Sequence, residues 1–173
     1  MDTEFAKVEL IRFPKVVTDE RGSFLKIYSS EYFASFSVKE VFYSVTKKGF
    51  VRGMHLQVGS SANDRIITCL RGSIFDAVID ARVTSPNYGE ISYFELGERD
   101  HQAIFVPKGF AHGFQTLSKD SLVMYLSSNT YDEKLDVGIN PLFAEILWPL
   151  GISGISKRDE KLPTLEQYKE NAS

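Results

Sequence analysis

Apolar and β-branched positions along this chain come in short runs that are bounded by turn-forming residues, a pattern typical of β-strands. Turn segments such as Ser85-Pro86-Asn87-Tyr88-Gly89 and Pro107-Lys108-Gly109 separate the runs. The strands predicted in this way are Val8–Arg12, Phe24–Tyr28, Val41–Thr46, Phe50–Gln57, Arg65–Arg71, Ser73–Ala81, Ile91–Leu96, Ala103–Val106, Gly113–Leu117 and Leu122–Ser127.

Helical patterns are confined to two short segments. Ser30 to Phe33 is predicted to start a helix capped by Ser29 or Ser30, and Pro163 to Asn171 is predicted to form another, with proline at its start. Many close strands with almost no helix predict an all-β sandwich or jelly-roll barrel, forming one domain over residues 1–173. Barrels of this kind hold one small ligand in the mouth, so reactive side chains are expected mid-strand and pointing inward.

Composition narrows the class of protein. The hydrophobic fraction of 43% is typical of a globular protein, and a net charge of −3 without a basic block argues against a nucleic-acid partner.

The apolar stretch Phe143–Ile152 contains Glu145, Pro149 and Gly151 and is too short to span a membrane. The first ten residues mix charges with apolar positions, unlike a signal peptide, so a cytoplasmic location is expected. Cys69, the single cysteine, lies among apolar neighbours and is expected to be a buried thiol.

His55 is one of only three histidines and lies in the predicted interior strand that ends at Gln57. A buried strand does not need both Arg52 and His55 for packing, so the pair indicates chemistry; a structural histidine bonded to backbone is the alternative. Strict alternation would put Arg52 and His55 on opposite faces. A β-bulge at Gly53 would let both face the interior.

The other candidates are less distinctive. His112 follows a glycine-bracketed turn and is expected at the rim of the barrel, although a structural role again fits. His101 lies in a polar stretch expected to be a solvated loop. On their own, Tyr125 is interpreted as a core residue and Asp159 as a surface charge.

A metal centre is the obvious possibility in a small barrel. Cupin metal sites need several histidines and a carboxylate, usually with two closely spaced histidines on one strand. Gln57 stands two residues after His55, where the second histidine would be, and His55 with His112 cannot enclose a metal. The sequence therefore predicts a site without metal.

Taken in order and spacing, several motifs resemble the family of dTDP-4-dehydrorhamnose 3,5-epimerases, over about Asp19 to Pro163. They are Asp19-Glu20-Arg21-Gly22-Ser23-Phe24, Arg52-Gly53-Met54-His55-Leu56-Gln57, Asp76 with Asp80 and Arg82, Ser85-Pro86-Asn87-Tyr88-Gly89, Pro107-Lys108-Gly109-Phe110-Ala111-His112-Gly113-Phe114, Tyr125 with Tyr131, and Trp148-Pro149. The resemblance implies a double-stranded β-helix, that is, a cupin-like jelly roll, usually a homodimer. It also implies catalysis without metal or organic cofactor on a nucleotide-activated 4-keto-6-deoxy sugar.

The resemblance also implies residue roles. His55 matches the catalytic base, Tyr125 the catalytic acid and Asp159 the carboxylate paired with the base. Residues matching the substrate-binding shell are Arg21, Arg52, His112 and Tyr131, and positions of that shell where this chain departs from the family are Lys26 (for Glu), Glu40 and Phe42 (for Gln and Asn), Arg65 (for Lys), Asp136 (for Glu) and Arg158 (for Lys). Arg65 is also the candidate group for stabilising an enolate oxygen.

The implied activity is epimerisation at C3, C5 or both, through an enolate that is deprotonated on one face and reprotonated on the other. A sugar-nucleotide 3,4-ketoisomerase on the same barrel is one alternative, although such enzymes carry further histidines after the first. A non-catalytic cupin that binds a sugar nucleotide is another, and its loss of binding residues would fit. A metal-dependent cupin oxygenase lacks the ligands.

Overall fold

A computed structural model describes residues 7–13 and 16–172. Within these residues there are twelve strands, three one-turn 3-10 helices and one α-helix. The strands are β1 (Glu9–Arg12), β2 (Val16–Asp19), β3 (Gly22–Leu25), β4 (Glu40–Lys47), β5 (Val51–Gln57), β6 (Arg65–Arg71), β7 (Ser73–Asp80), β8 (Ile91–Gly97), β9 (Gln102–Val106), β10 (Phe110–Thr116), β11 (Asp120–Ser127) and β12 (Asp136–Gly138). The 3-10 helices are Gly59–Ser61, Glu133–Leu135 and Asp159–Lys161, and α1 is Leu165–Ala172.

Ten of the strands form two antiparallel five-stranded sheets. The β4 sheet has the order β1-β9-β6-β11-β4, and the β5 sheet has the order β12-β5-β10-β7-β8. Strands β2 and β3 form a separate hairpin. Two packed antiparallel sheets with non-sequential strand order are the jelly-roll architecture, so the predicted all-β cupin-like fold is confirmed. None of the helices in the described residues has the length and apolarity needed to cross a membrane.

The main core lies between the two sheets, and a further apolar layer covers each outer face. Ile67 and Val123 of the β4 sheet pack against Val78 and Phe114 of the β5 sheet. The N-terminal part of the chain covers the β4 sheet through residues such as Phe13 and Phe36, and the C-terminal part covers the β5 sheet through Ile146 and Tyr168. Central strands are therefore buried on both faces, which explains why their sequences are almost continuously apolar.

Most strand predictions agree with the structure to within a few residues. β10 begins at Phe110 rather than Gly113, and the segment predicted as Phe24–Tyr28 is strand only to Leu25. The short strands β2 and β12 were not predicted; β12 is three residues long and exists because it pairs with β5.

The two helix predictions differ in outcome. The helix over Ser30 to Phe33 is wrong, because the structure has a single turn there, closed by the Phe33 N–H donating to the Ser29 carbonyl at 3.0 Å. The helix over Pro163 to Asn171 is confirmed as α1. Cys69 is buried, as predicted, and burial raises the pKa of its thiol to about 11.

The predicted bulge at Gly53 is present in the pairing of β5 with β10. Phe114 pairs with Arg52 and His112 pairs with His55, so two residues of β5 stand opposite Gly113 alone. The extra residue resets the alternation of side chains along β5. Arg52 and His55 consequently line the same cavity between the sheets.

Glycine is required at both sides of this bulge. Gly53 has φ +129°, and a Cβ atom there would lie 2.5 Å from Gly113 Cα and 2.9 Å from the His112 carbonyl oxygen. A Cβ on Gly113 would lie 2.6 Å from the Arg52 carbonyl oxygen. The two backbones are thus in direct contact, which only glycine permits.

We predict that Gly53→Ala destabilises the protein more than Gly22→Ala, its matched control. Gly22 has φ +126° but nothing within 4 Å of the added Cβ. Both changes carry the cost of an unfavourable φ, about 1–3 kcal/mol, and only Gly53→Ala adds the cost of overpacking, about 1–3 kcal/mol. Urea unfolding of both variants measures the difference. Equal losses of free energy of unfolding would contradict a role for the close backbone contact.

Candidate active site

A cavity of about 1200 Å³ opens between the two sheets and is large for a pocket that binds small molecules. Its walls come from β4, β5, β6, β10 and β11, together with the segment around Asp159. The predicted site residues that line it are Glu40, Phe42, Arg52, His55, Arg65, His112, Tyr125, Tyr131, Asp136, Arg158 and Asp159. Two other predicted residues, Arg21 and Lys26, do not line it.

His55 on β5 is held by Asp159, the first residue of a 3-10 helix. The distance from His55 Nε2 to Asp159 Oδ1 is 2.8 Å, and Asp159 Oδ2 accepts a bond from the Gly53 N–H at 3.3 Å. The backbone N–H of Asp159 donates to Ser156 Oγ at 3.1 Å, which fixes the start of the 3-10 helix. Burial raises the pKa of Asp159, but the bonds from His55 and Gly53 outweigh it and lower that pKa overall. An ionised Asp159 places the imidazole proton on Nε2 and leaves Nδ1 with a free lone pair.

Tyr125 lies on β11, in the sheet that faces His55. Burial raises the pKa of its phenol to about 12, so the hydroxyl keeps its proton at neutral pH. The hydroxyl lies 3.4 Å from Ser44 Oγ, and the ring stacks on Phe42 with centroids 4.8 Å apart. The cavity therefore has a proton acceptor on one wall and a proton donor on the other.

Arg65 supplies a buried positive charge at this cavity. Only 8% of the residue is exposed, and its Nη2 donates to the carbonyl oxygens of His55 at 3.2 Å and Phe110 at 3.1 Å. Burial lowers the pKa of the guanidinium, which nevertheless stays charged. Among residues 7–13 and 16–172 it forms no salt bridge. A buried cation without a paired carboxylate favours an anionic group in the cavity.

His112 is buried instead of lying at the barrel rim, because it sits inside β10 and pairs with a carboxylate of the next strand. Its Nε2 lies 2.7 Å from Asp76 Oδ2, and both side chains are almost completely buried. Burial lowers the pKa of His112 and raises that of Asp76. The sequence analysis names Asp76 only as part of a motif. Its position as a carboxylate within an apolar strand is the feature from which a buried histidine partner could have been predicted.

Other polar residues that line the cavity are fixed by local contacts. Arg52 Nε donates to Thr46 Oγ1 at 2.8 Å. Arg158 forms an ion pair with Asp136, whose carboxylate also accepts from the Tyr131 hydroxyl at 3.3 Å. Ser44 and Thr46 also line the cavity but are not among the predicted site residues. The alternation of side chains along β4, which turns these polar residues inward, is the sequence feature that could have identified them.

Arg21 and Lys26 belong to a different part of the chain. Arg21 lies in the turn between β2 and β3 and is highly exposed, with an ion pair to its neighbour Asp19 at 2.6 Å. Lys26 directly follows β3. A single chain therefore does not bring these two predicted binding residues into the cavity.

No group of three or more His, Cys, Asp or Glu side chains that could hold a metal occurs in the described part of the chain. His55 and His112 each use Nε2 to bind a carboxylate. The expectation of a site without metal or organic cofactor stays a prediction.

The fold and the cavity define a jelly-roll protein with a proton acceptor and a proton donor on facing walls of one cavity. A sequence model of the family described as dTDP-4-dehydrorhamnose 3,5-epimerase matches residues 2–167. The chain belongs to this family, as its motifs indicated.

Relatives of known name agree with this assignment. The dTDP-4-dehydrorhamnose 3,5-epimerase of Salmonella typhimurium is 33% identical over 166 residues, which cover 91% of each chain. The dTDP-4-dehydrorhamnose 3-epimerase of Streptomyces niveus is 35% identical over 154 residues, covering 85% of this chain and 74% of that one. The crystal structure of dTDP-4-dehydrorhamnose 3,5-epimerase from Sulfolobus tokodaii superposes with a TM-score of 0.87 at 37% identity, covering 92% of this chain and 91% of that one.

Proposed function

We propose that this protein, as one domain over residues 1–173, epimerises C3, C5 or both in a dTDP-linked 4-keto-6-deoxyhexose. The observation that carries the proposal is the pair of proton-transfer groups on facing sheets, His55 with a free lone pair and Tyr125 with a retained proton. The named relatives act on dTDP-linked keto sugars, which supports this substrate class. A cytoplasmic location stays a prediction.

The first step is removal of a proton from the carbon beside the ketone. Hydrogens on C3 and C5 are acidic because the conjugate base is an enolate delocalised onto the C4 oxygen. His55 Nδ1 takes the proton, and Asp159 stabilises the imidazolium through the 2.8 Å bond to Nε2. A positioned base of this kind contributes on the order of 10²–10⁴-fold to the rate.

The second requirement is stabilisation of the enolate oxygen. Arg65 is buried, charged and without a salt bridge among the described residues, so it attracts the negative charge that develops on O4. Fixed positive charge in a water-poor site is often the largest single contribution to catalysis. Where the family has lysine, the guanidinium brings a broader, planar set of donors, so substrates fit differently around it.

The last step returns a proton to the opposite face. Tyr125 holds its proton until the enolate carbon, a stronger base than phenolate, accepts it. Water then reprotonates the phenolate and removes the proton from His55, which restores the starting enzyme. Delivery from the facing sheet inverts the configuration, whereas return of the proton from His55 restores it.

A homodimer would complete the binding site, and we include it in the proposal. Arg21 and Lys26 lie outside the cavity of their own chain, so a binding role for them needs a second copy. The edge strand β4 offers an apolar outer surface for it, on which Val41, Tyr43 and Val45 are 59%, 68% and 48% exposed. Apolar residues on the outer face of an edge strand favour pairing with another chain.

The test of the function is incubation with a dTDP-4-keto-6-deoxy sugar in D₂O, followed by NMR. We expect deuterium at C3, C5 or both, with inverted products, and loss of exchange by at least about 10²-fold in His55→Asn. Binding of dTDP should persist in this variant. A non-catalytic binding protein would give no exchange in the wild type, and a 3,4-ketoisomerase would move the carbonyl group.

Tyr125→Phe is expected to separate the two proton transfers. Without the phenolic hydroxyl, the enolate still forms, takes deuterium through His55 and collapses with its original configuration. The fold should tolerate the change at a cost of about 1–2 kcal/mol. NMR in one tube measures exchange and product configuration together. Full epimerisation by this variant would show that another group is the acid, and Tyr131 would be examined first.

Mixing two inactive variants tests the shared site. His55→Asn lacks the base and Arg21→Ala lacks the proposed binding residue. If Arg21 acts in the partner's cavity, a mixed dimer contains one intact site, and random pairing should restore about a quarter of wild-type activity. If each chain uses its own Arg21, no intact site forms and mixing restores nothing. Sedimentation analysis of the wild type checks the dimer itself.

A further inference from the structure

We propose that Phe42 is a positioning residue that holds Tyr125 in the orientation needed to deliver its proton. This inference rests on the proposed function, since Tyr125 is assigned there as the acid. It gives Phe42 a role toward another side chain, in contrast to the substrate contact expected from its place in the sequence.

Phe42 and Tyr125 are directly opposite each other in the pairing of β4 with β11. Their rings are nearly parallel, with an interplanar angle of 10° and centroids 4.8 Å apart. Phe42 is 45% exposed whereas Tyr125 is 8% exposed. The Phe42 ring therefore covers one face of the Tyr125 ring on the side of the edge strand and shields it from solvent.

The other contacts of Tyr125 hold it less firmly. Its hydroxyl is 3.4 Å from Ser44 Oγ, which is long for a bond between two hydroxyl groups. The His112 ring meets it edge-on, with centroids 6.1 Å apart and an interplanar angle of 77°. His112 is itself fixed by Asp76 and so forms a rigid boundary on that side. The Phe42 ring is the corresponding contact of Tyr125 on the side of the edge strand β4.

The position of the Tyr125 hydroxyl decides between two fates of the enolate. A displaced hydroxyl delivers its proton more slowly, because proton transfer depends steeply on the distance and alignment of donor and acceptor. Return of the proton from His55 is unaffected, since Phe42 makes no hydrogen bond or ring contact with His55 in the described structure. Loss of the Phe42 ring should therefore increase the fraction of enolate that is reprotonated with its original configuration, relative to the fraction that is inverted.

The experiment measures the ratio of deuterium exchange to inversion at each carbon, with a dTDP-4-keto-6-deoxy sugar in D₂O. For Phe42→Leu we expect this ratio to rise on the order of tenfold or more. Phe42→Tyr keeps an aromatic ring on Tyr125 and should keep the wild-type ratio. Phe42→Met, a milder change, is measured as well in case Phe42→Leu folds poorly.

Phe75→Leu is the matched control. Phe75 stacks on Tyr93 with centroids 5.3 Å apart, outside the residues that line the cavity. This variant loses a comparable aromatic pair, so it should lose stability and keep the wild-type ratio.

Three results would overturn the inference: an unchanged ratio in both Phe42→Leu and Phe42→Met, a parallel fall of exchange and inversion, or an equal rise of the ratio in Phe75→Leu. These results differ from failure of the proposed function, which would appear as absence of exchange in the wild-type protein.

Discussion

The close contact between the backbones of Gly53 and Gly113 is the constraint on which the site depends. It allows two residues of β5 to stand opposite one residue of β10, and this bulge turns Arg52 and His55 toward the same cavity. The N–H of Gly53 also donates to Asp159 at 3.3 Å, so the bulge helps to hold the carboxylate that binds His55. One local irregularity therefore sets the direction of the base and the position of its partner.

Burial then sets the chemical state of the groups in this cavity. The Tyr125 phenol has its pKa raised to about 12 and stays protonated, while Asp159, although buried, is kept ionised by its bonds. Arg65 carries a charge that no salt bridge balances in the described residues. Burial thus keeps the phenol protonated, whereas hydrogen bonds from His55 and Gly53 keep Asp159 ionised against the effect of burial.

Local contacts fix several of the residues that line the cavity. Phe42 stacks on Tyr125, and Asp136 forms an ion pair with Arg158. Arg21 lies outside the cavity of its own chain. In the proposed mechanism these contacts decide how the substrate and the acid are held, while His55, Tyr125 and Asp159 carry the proton transfers.

The sequence by itself determined the all-β architecture, most strand positions and the bulge at Gly53, because short-range pattern records them directly. The family resemblance pointed to most of the predicted residues that line the cavity, but also to Arg21 and Lys26, which lie outside it. The tertiary structure decided the rest. The partnership of His112 with Asp76, the stacking of Phe42 on Tyr125 and the existence of β12 all depend on pairing between strands that are distant in sequence. Their physical reason is register: a strand's own residues specify its faces, but only its neighbours in the sheet decide which side chains meet.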